Sequence, residues 1–439
     1  MSLAERRGLR LFTFCVLYCA QGIPWGFTAI TLPAYLGAHG LQTAAVSEAL
    51  AVTVLPYTFK IVWGPIVDAF PSQRFGRRRP WIIGAQLMMA LTIGTMILIP
   101  DLTRDLNLLV WVVFVHTIFN SLQDLATDAL AVDLLDEAER GRTNGLMYAS
   151  KYFGGILGGA GMSTLIAWYG MRAALVAQTC ALVAIMLVPV LVRERPASAE
   201  LPRVPLAIVG RKIRGWLRAR ARAGVGHSLG ALRRSIGVLR RSAGIRAAVL
   251  GGVVMLASNV GSGVMSAIAP VLFTQDLGWK FERYTQLTGG PGLAVGLAGS
   301  ILGGFLADKV GHRRLAAIGA AALGAFWLAW AALAPHWTDT TLVYALFAVE
   351  PLCQSVMIVS LFAICMDLSW PTIGATQFSI YMALANASTL LGFRLAVHVS
   401  DWWTFPGIYV AGAVLQLGVV GLVWLVDPGA VRRALDVRE

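Results

Sequence analysis

Long apolar runs recur along nearly the whole chain, and most are long enough to cross a bilayer. A hydrocarbon core about 30 Å thick takes roughly 20 helical residues. A backbone in lipid must satisfy its own hydrogen bonds, so such runs fold as helices. Twelve are predicted, at about 10–36, 43–68, 80–100, 107–135, 142–168, 171–192, 246–275, 281–308, 313–334, 339–368, 373–399 and 404–427. The first follows Arg6, Arg7 and Arg10; it is too long for a signal-peptide core and lacks a small-residue cleavage site, so it is read as a helix. With 57% hydrophobic and 13% charged residues in 439, the expected class is an all-α integral membrane protein.

The chain also repeats itself. Gly64-Pro65-Ile66-Val67-Asp68 leads to Gly76-Arg77-Arg78-Arg79, and Gly304-Phe305-Leu306-Ala307-Asp308 leads to Gly311-His312-Arg313-Arg314. Gly141, Thr143, Asn144, Tyr148 and Gly159 recur 233 residues later as Gly374, Thr376, Gln377, Tyr381 and Gly392. Two related membrane halves with a site between them is the layout of a secondary transporter. The expected organisation is an amino-terminal six-helix bundle over 1–192, a basic linker over 193–245 and a carboxy-terminal six-helix bundle over 246–439.

Formal net charge is +13, and its placement explains it. With twelve spans and both termini cytosolic, 29 of the 36 lysines and arginines fall on the cytosolic side and only Arg104, Arg172, Lys280 and Arg283 on the other. The positive-inside rule fixes that orientation in a cell inner membrane, and nucleic acid is excluded as a partner. The linker's clustered arginines, interleaved with Leu229, Leu232, Ile236 and Leu239 at helical spacing, suit either anionic inner-leaflet lipids or a solvated topological spacer. The five cysteines fall within spans without metal or CxxC spacing. Glycines at four-residue spacing, such as Gly154 with Gly158 and Gly155 with Gly159, let helices approach closely in lipid.

Ionisable groups within spans cost about 2.5–3.5 kcal/mol each at the centre on insertion scales, so they mark function by default. Helix 4 carries Asn120, Gln123, Asp124 and Asp128; helix 2 carries Lys60 and helix 5 Lys151. Counting from the cytosolic helix ends puts Lys60, Asp128 and Lys151 at a common depth of about 12–14 Å, and they are expected to meet inside the first bundle. The aspartates are the candidate proton relays, and the lysines the candidate anion-binding or counter-ion groups. A buried ion-pair network that only ties three helices together is the alternative. In the second half Glu350 is an alternative proton carrier, Gln377 a polar candidate, and Arg394 either a pathway group or a cation snorkelling to the outer interface. Asp68, Arg77, Arg78, Asp308, Arg313 and Arg314 are candidates for gating, since an acid among loop cations can latch helices in one conformation.

The duplicated Gly-x-x-x-Asp and Gly-basic-basic signature resembles that of the major facilitator superfamily, which implies two six-helix bundles that open alternately to each side. Within it the chain resembles the branch of AmpG-type muropeptide permeases and acetyl-CoA transporters. That likeness rests on Gln21-Gly22-Ile23-Pro24, on Phe59-Lys60-x-x-Trp63-x-Pro65-x-x-Asp68, on Gln123-Asp124-x-x-x-Asp128, on Glu139-Arg140-Gly141 and on Ala375-Thr376-Gln377-Phe378. The resemblance implies that Lys60, Asp124 and Asp128 line the pathway. It also implies proton-coupled import of a bulky, often anionic solute such as a muropeptide, acyl-CoA or siderophore. Arg74-Phe75-Gly76-Arg77-Arg78-Arg79-Pro80 also resembles the sucrose and glycoside symporters, so a sugar symporter is the second expectation. A membrane-embedded solute sensor is a third class. No nucleophile–base set, metal cluster or phosphate loop occurs in the sequence, so neither an enzyme nor a cofactor is expected. The energy source is the proton gradient, the partners are the solute, protons and lipid, and the expected state is a monomer.

Overall fold

The computed structural model describes residues 2–59, 63, 67, 75–99, 101–135, 137–195, 246–369 and 374–427. Lys60, Asp68 and all but the first residues of the linker lie outside the described residues, as does the side chain of Asp308. The described residues are helical throughout, apart from short connections and one isolated bridge between Ser2 and Arg193.

Among the described residues, twelve helices follow the apolar runs. In the amino-terminal half they are α1 (Arg7–Ala38), α2 (Thr43–Thr58), α3 (Arg79–Met96), α4 (Leu106–Leu134), α5 (137–169) and α6 (171–191). In the other half they are α7 (Arg246–Asp276), α8 (281–310), α9 (His312–Ala332), α10 (Thr340–Asp367), α11 (Gly374–Val399) and α12 (Phe405–Leu425). Helical structure runs unbroken by a loop from α5 into α6, and the direction changes at Gly170, whose φ of 82° and ψ of 169° only glycine adopts without strain. Where both ends are described, the expected and observed helix boundaries agree to within a turn or so; the expected end of α2 lies outside the described residues, and α10 is interrupted at Phe347 and Ala348.

Close backbone contact sets the helix pairs. A Cβ on Gly22 would lie 2.1 Å from the Lys151 carbonyl oxygen, and one on Gly158 would lie 1.9 Å from that of Ile23. Gly22 and Gly26 of α1 thus mesh with Gly154 and Gly158 of α5, a pairing that only glycine at these positions permits. The other half repeats the device, with Gly263 of α7 against Thr389 and Gly392 of α11 against Val260. Widened π-helical turns interrupt α1 at Phe27–Thr31, α5 at Leu157–Gly161, α7 at Leu272–Asp276 and α8 at Thr288–Gly292. Such turns free carbonyls. Thr31 answers two of them, its hydroxyl standing 2.9 Å from the carbonyl oxygens of both Gly158 and Gly159.

The described contacts between the halves gather toward the end opposite the basic loops. There Gln275 of α7 donates to the carbonyls of Gly37 and Leu41 at 2.8 Å each, and Gln286 of α8 donates to Thr164 at 3.2 Å. Arg394 of α11 stands 3.7 Å from Glu48 of α2, and Gly159 meets Gly289 backbone to backbone. This places the seam tight at one end.

Candidate functional site

The candidate site is built on α4 where it faces α1. Asp124 is buried and Asp128, one turn on, is half-buried. The Tyr18 hydroxyl of α1 donates to Asp128 Oδ1. A neutral donor to a carboxylate in a low-dielectric interior is worth roughly 1.5–3 kcal/mol, enough to fix which way the acid points. Gln123 is fully buried and its amide donates to the Leu17 carbonyl at 3.3 Å, so α1 is tied to α4 one residue before Tyr18. Tyr18 in turn lies edge-on to Tyr148 of α5, with ring centroids 5.9 Å apart.

The remaining expected pathway residues divide. Gln21 and Asn120 are buried in the same bundle, Gln21 with neither amide atom partnered and Asn120 with its carbonyl oxygen unpartnered among the described residues. Lys151 is half-buried, and among the described residues no ion pair joins it to Asp124 or Asp128; Lys60, the third member of the expected meeting, lies outside them. The Lys151 carbonyl is pressed against Gly22 of α1, and the hydroxyl of Tyr18, one turn from Gly22, donates to Asp128. In the second half Glu350 accepts from the Trp327 indole at 3.1 Å. Gln377 joins helix ends, donating to the Leu368 carbonyl at 3.1 Å and to the Tyr381 hydroxyl at 2.9 Å, while Tyr381 donates to Ala248 at 3.0 Å. Arg394 sits at the opposite end of α11, paired with exposed Glu48 across the seam.

Several loop cations have partners in their own half. Arg78 reaches Asp133 of α4 at 3.0 Å and Arg77 approaches it at 3.9 Å, while the backbone amides of Arg78 and Arg79 donate to Glu194 after α6. Arg313 donates to the Trp424 carbonyl and its guanidinium lies 4.8 Å over that indole; Arg314 is exposed. His312 and Asp367 pair at 3.0 Å. A cleft of about 290 Å³ opens at the end away from the basic loops, lined in part by Tyr35, His39, Asp101, Thr103 and Arg172. There the hydroxyl and backbone amide of Thr103 hold the Asp101 carboxyl below the usual carboxylate range.

Two residues escaped the sequence reading. Tyr18 gave no periodic signal, since a tyrosine in an apolar run is ordinary. His116 did give one: it precedes Asn120, Asp124 and Asp128 at a uniform four-residue spacing along α4.

The family model for the Major Facilitator Superfamily matches residues 14–279 and 250–439, so the chain belongs to that superfamily. An anhydromuropeptide permease of Escherichia coli is 23% identical over 413 residues, spanning 91% of this chain and 76% of the permease. An uncharacterized membrane protein of Saccharomyces cerevisiae is 39% identical over 88 residues, which are 20% of this chain and 16% of the yeast protein. Among solved structures, a D-xylose-proton symporter superposes with a TM-score of 0.68 at 16% identity, covering 95% of this chain and 98% of the symporter. That last likeness is one of fold.

Proposed function

Taking membership of the superfamily as the premise, we propose that this chain is a proton-coupled importer of bulky, anionic solutes of the muropeptide class, working by alternating access. The observation that carries the reading is the carboxylate pair Asp124 and Asp128, held inside the first bundle and oriented by Tyr18. A carboxyl group in a low-dielectric site trades its proton readily against changes in its neighbours. The cargo class is supported by the permease that aligns over 91% of this chain. The positive-inside rule assigns the end bearing the arginine loops to the cytosol. Gln275, Gln286 and Arg394 then bridge the seam on the outer side.

Coupling works as follows. A proton on the aspartate pair removes negative charge from the bundle, and the exposed pair Glu48 and Arg394 opens at little cost when the halves rock. Purified protein in vesicles, given an inward-directed proton gradient and a radiolabelled 1,6-anhydro-muropeptide, tests the proposal. Accumulation that collapses when the gradient is dissipated supports it. Uptake of a disaccharide in place of the muropeptide would move the cargo to the sugar class, and binding without flux would make the protein a sensor.

A further inference from the structure

Unpartnered polar atoms gather inside the amino-terminal bundle, on the side of α4 that faces α3. His116 is 1% exposed; its Nδ1 lies 3.0 Å from the Thr92 hydroxyl and 3.2 Å from the Met89 carbonyl, both on α3. A carbonyl can only accept, so Nδ1 carries the proton and Nε2 presents a lone pair. That Nε2 has no partner among the described residues. Gln86, one turn from Met89 toward the basic end of α3, is fully buried with neither amide atom partnered. Gln178 of α6 is in the same condition, beside Thr179, which packs on Gly94 of α3. α3 and α4 run antiparallel, so Asn120, one turn from His116, is level with Gln86; Gln21 of α1, one turn beyond Leu17, reaches this level from the other side.

Each such atom left dry costs about 1–3 kcal/mol, and a buried water typically satisfies about three of them. Gln21, Gln86 and Gln178 with both amide atoms unpartnered, His116 with Nε2 and Asn120 with its oxygen, from four helices of one bundle, make sites for water among the described residues, and a strip of His116, Asn120, Asp124 and Asp128 leads down α4. We propose that Gln86, His116, Asn120 and Gln178 bound a chain of ordered waters within the amino-terminal bundle, and that His116 relays protons along it to Asp124 and Asp128. The route runs inside one bundle, apart from the passage between the halves, and it rests on the proton-coupled reading above. A proton entering from the water at the far end adds to Nε2, leaves through the next water and converts an aspartate carboxylate to its carboxyl; the imidazole ends as it began. The groups that face His116 are Thr92 and the Met89 backbone from α3 and Asn120 from its own helix. Among the described residues no charged side chain touches it, and Asp124 and Asp128 stand two and three turns away along α4.

Two measurements on the full chain decide this. In hydroxyl-radical footprinting in nanodiscs, resident water oxidises the side chains it touches. Met89, fully buried, is expected to oxidise several-fold faster than Met265, equally buried but packed on Gly412, and to lose that excess in Gln86→Leu. In vesicles with the anhydro-muropeptide, His116→Phe is expected to cut gradient-driven accumulation about tenfold while changing solute exchange without a gradient less than about twofold. His116→Gln, which keeps an acceptor, is expected to fall between. Equal oxidation of Met89 and Met265 overturns the water chain; equal loss of accumulation and exchange in His116→Phe overturns the relay. Should wild-type protein take up no muropeptide at all, the cargo reading falls, and the footprint alone decides the water chain.

Discussion

One face of α4 carries His116, Asn120, Asp124 and Asp128; the positions 233 residues on, along α10, are Val349, Cys353, Met357 and Leu361. The two bundles share the device that holds them together, a glycine-meshed helix pair, α1 with α5 and α7 with α11. They differ in filling. Around Glu350 the second bundle is aromatic: Trp327 donates to the acid, Trp330 and Trp337 stack with centroids 5.6 Å apart, and Tyr409 meets Trp337 edge-on. Sequence relatedness between halves therefore preserves the backbone contacts, which steric exclusion enforces, and leaves the interior chemistry free to concentrate in one half.

The contrast can be broken most decisively at the carboxylates. Asp124→Asn and Asp128→Asn are expected to lower gradient-driven accumulation by about a hundredfold or more, since general acid–base groups carry about 10²–10⁴ of a rate. Glu350→Gln should stay within about threefold of wild type. Uptake assays in matched vesicles that reversed this ranking would put the proton site in the second bundle. The shared device is tested next. Gly158→Ala and Gly263→Ala should each destabilise by about 1–3 kcal/mol in a denaturant or thermal assay, because the new methyl meets a backbone carbonyl. Gly304→Ala and Gly418→Ala, which open onto free space, should change stability by less than about 0.5 kcal/mol.

A smaller effect is expected at Tyr18→Phe. It removes the donor to Asp128 without emptying the packing against Tyr148, and accumulation should fall about tenfold, the equivalent of one charge-assisted hydrogen bond. An unchanged ratio would show that Asp128 is held by other groups. The smallest belongs to Glu48→Gln: an exposed ion pair contributes about 0–1 kcal/mol. Spin labels placed across the outer seam should report a shift of less than about fivefold in the open population.

Much of the fold was legible because lipid leaves so few options. An apolar run bounded by loops must become a helix, so the described parts of the twelve runs are helical, and Gly170 and Gly311 stand where the chain turns. The carboxylates were legible for the same reason, as charges where charge is expensive. His116 was visible in principle through its spacing, but a single histidine carries little weight until its Nε2 is seen to be buried without a partner.

What the sequence determined by itself was which segments cross, in what order, and at what depth their polar groups lie. Partner choice came only with the tertiary structure. Depth is a one-dimensional quantity read by counting residues, whereas pairing depends on how each helix is rotated and which neighbour it meets. Gly22 of α1 meshes with the Lys151 backbone of α5, and Tyr18, one turn along α1, donates to Asp128 of α4. Arg78 has several acids at its end of the molecule, and the packing of α3 on α4 gives it Asp133.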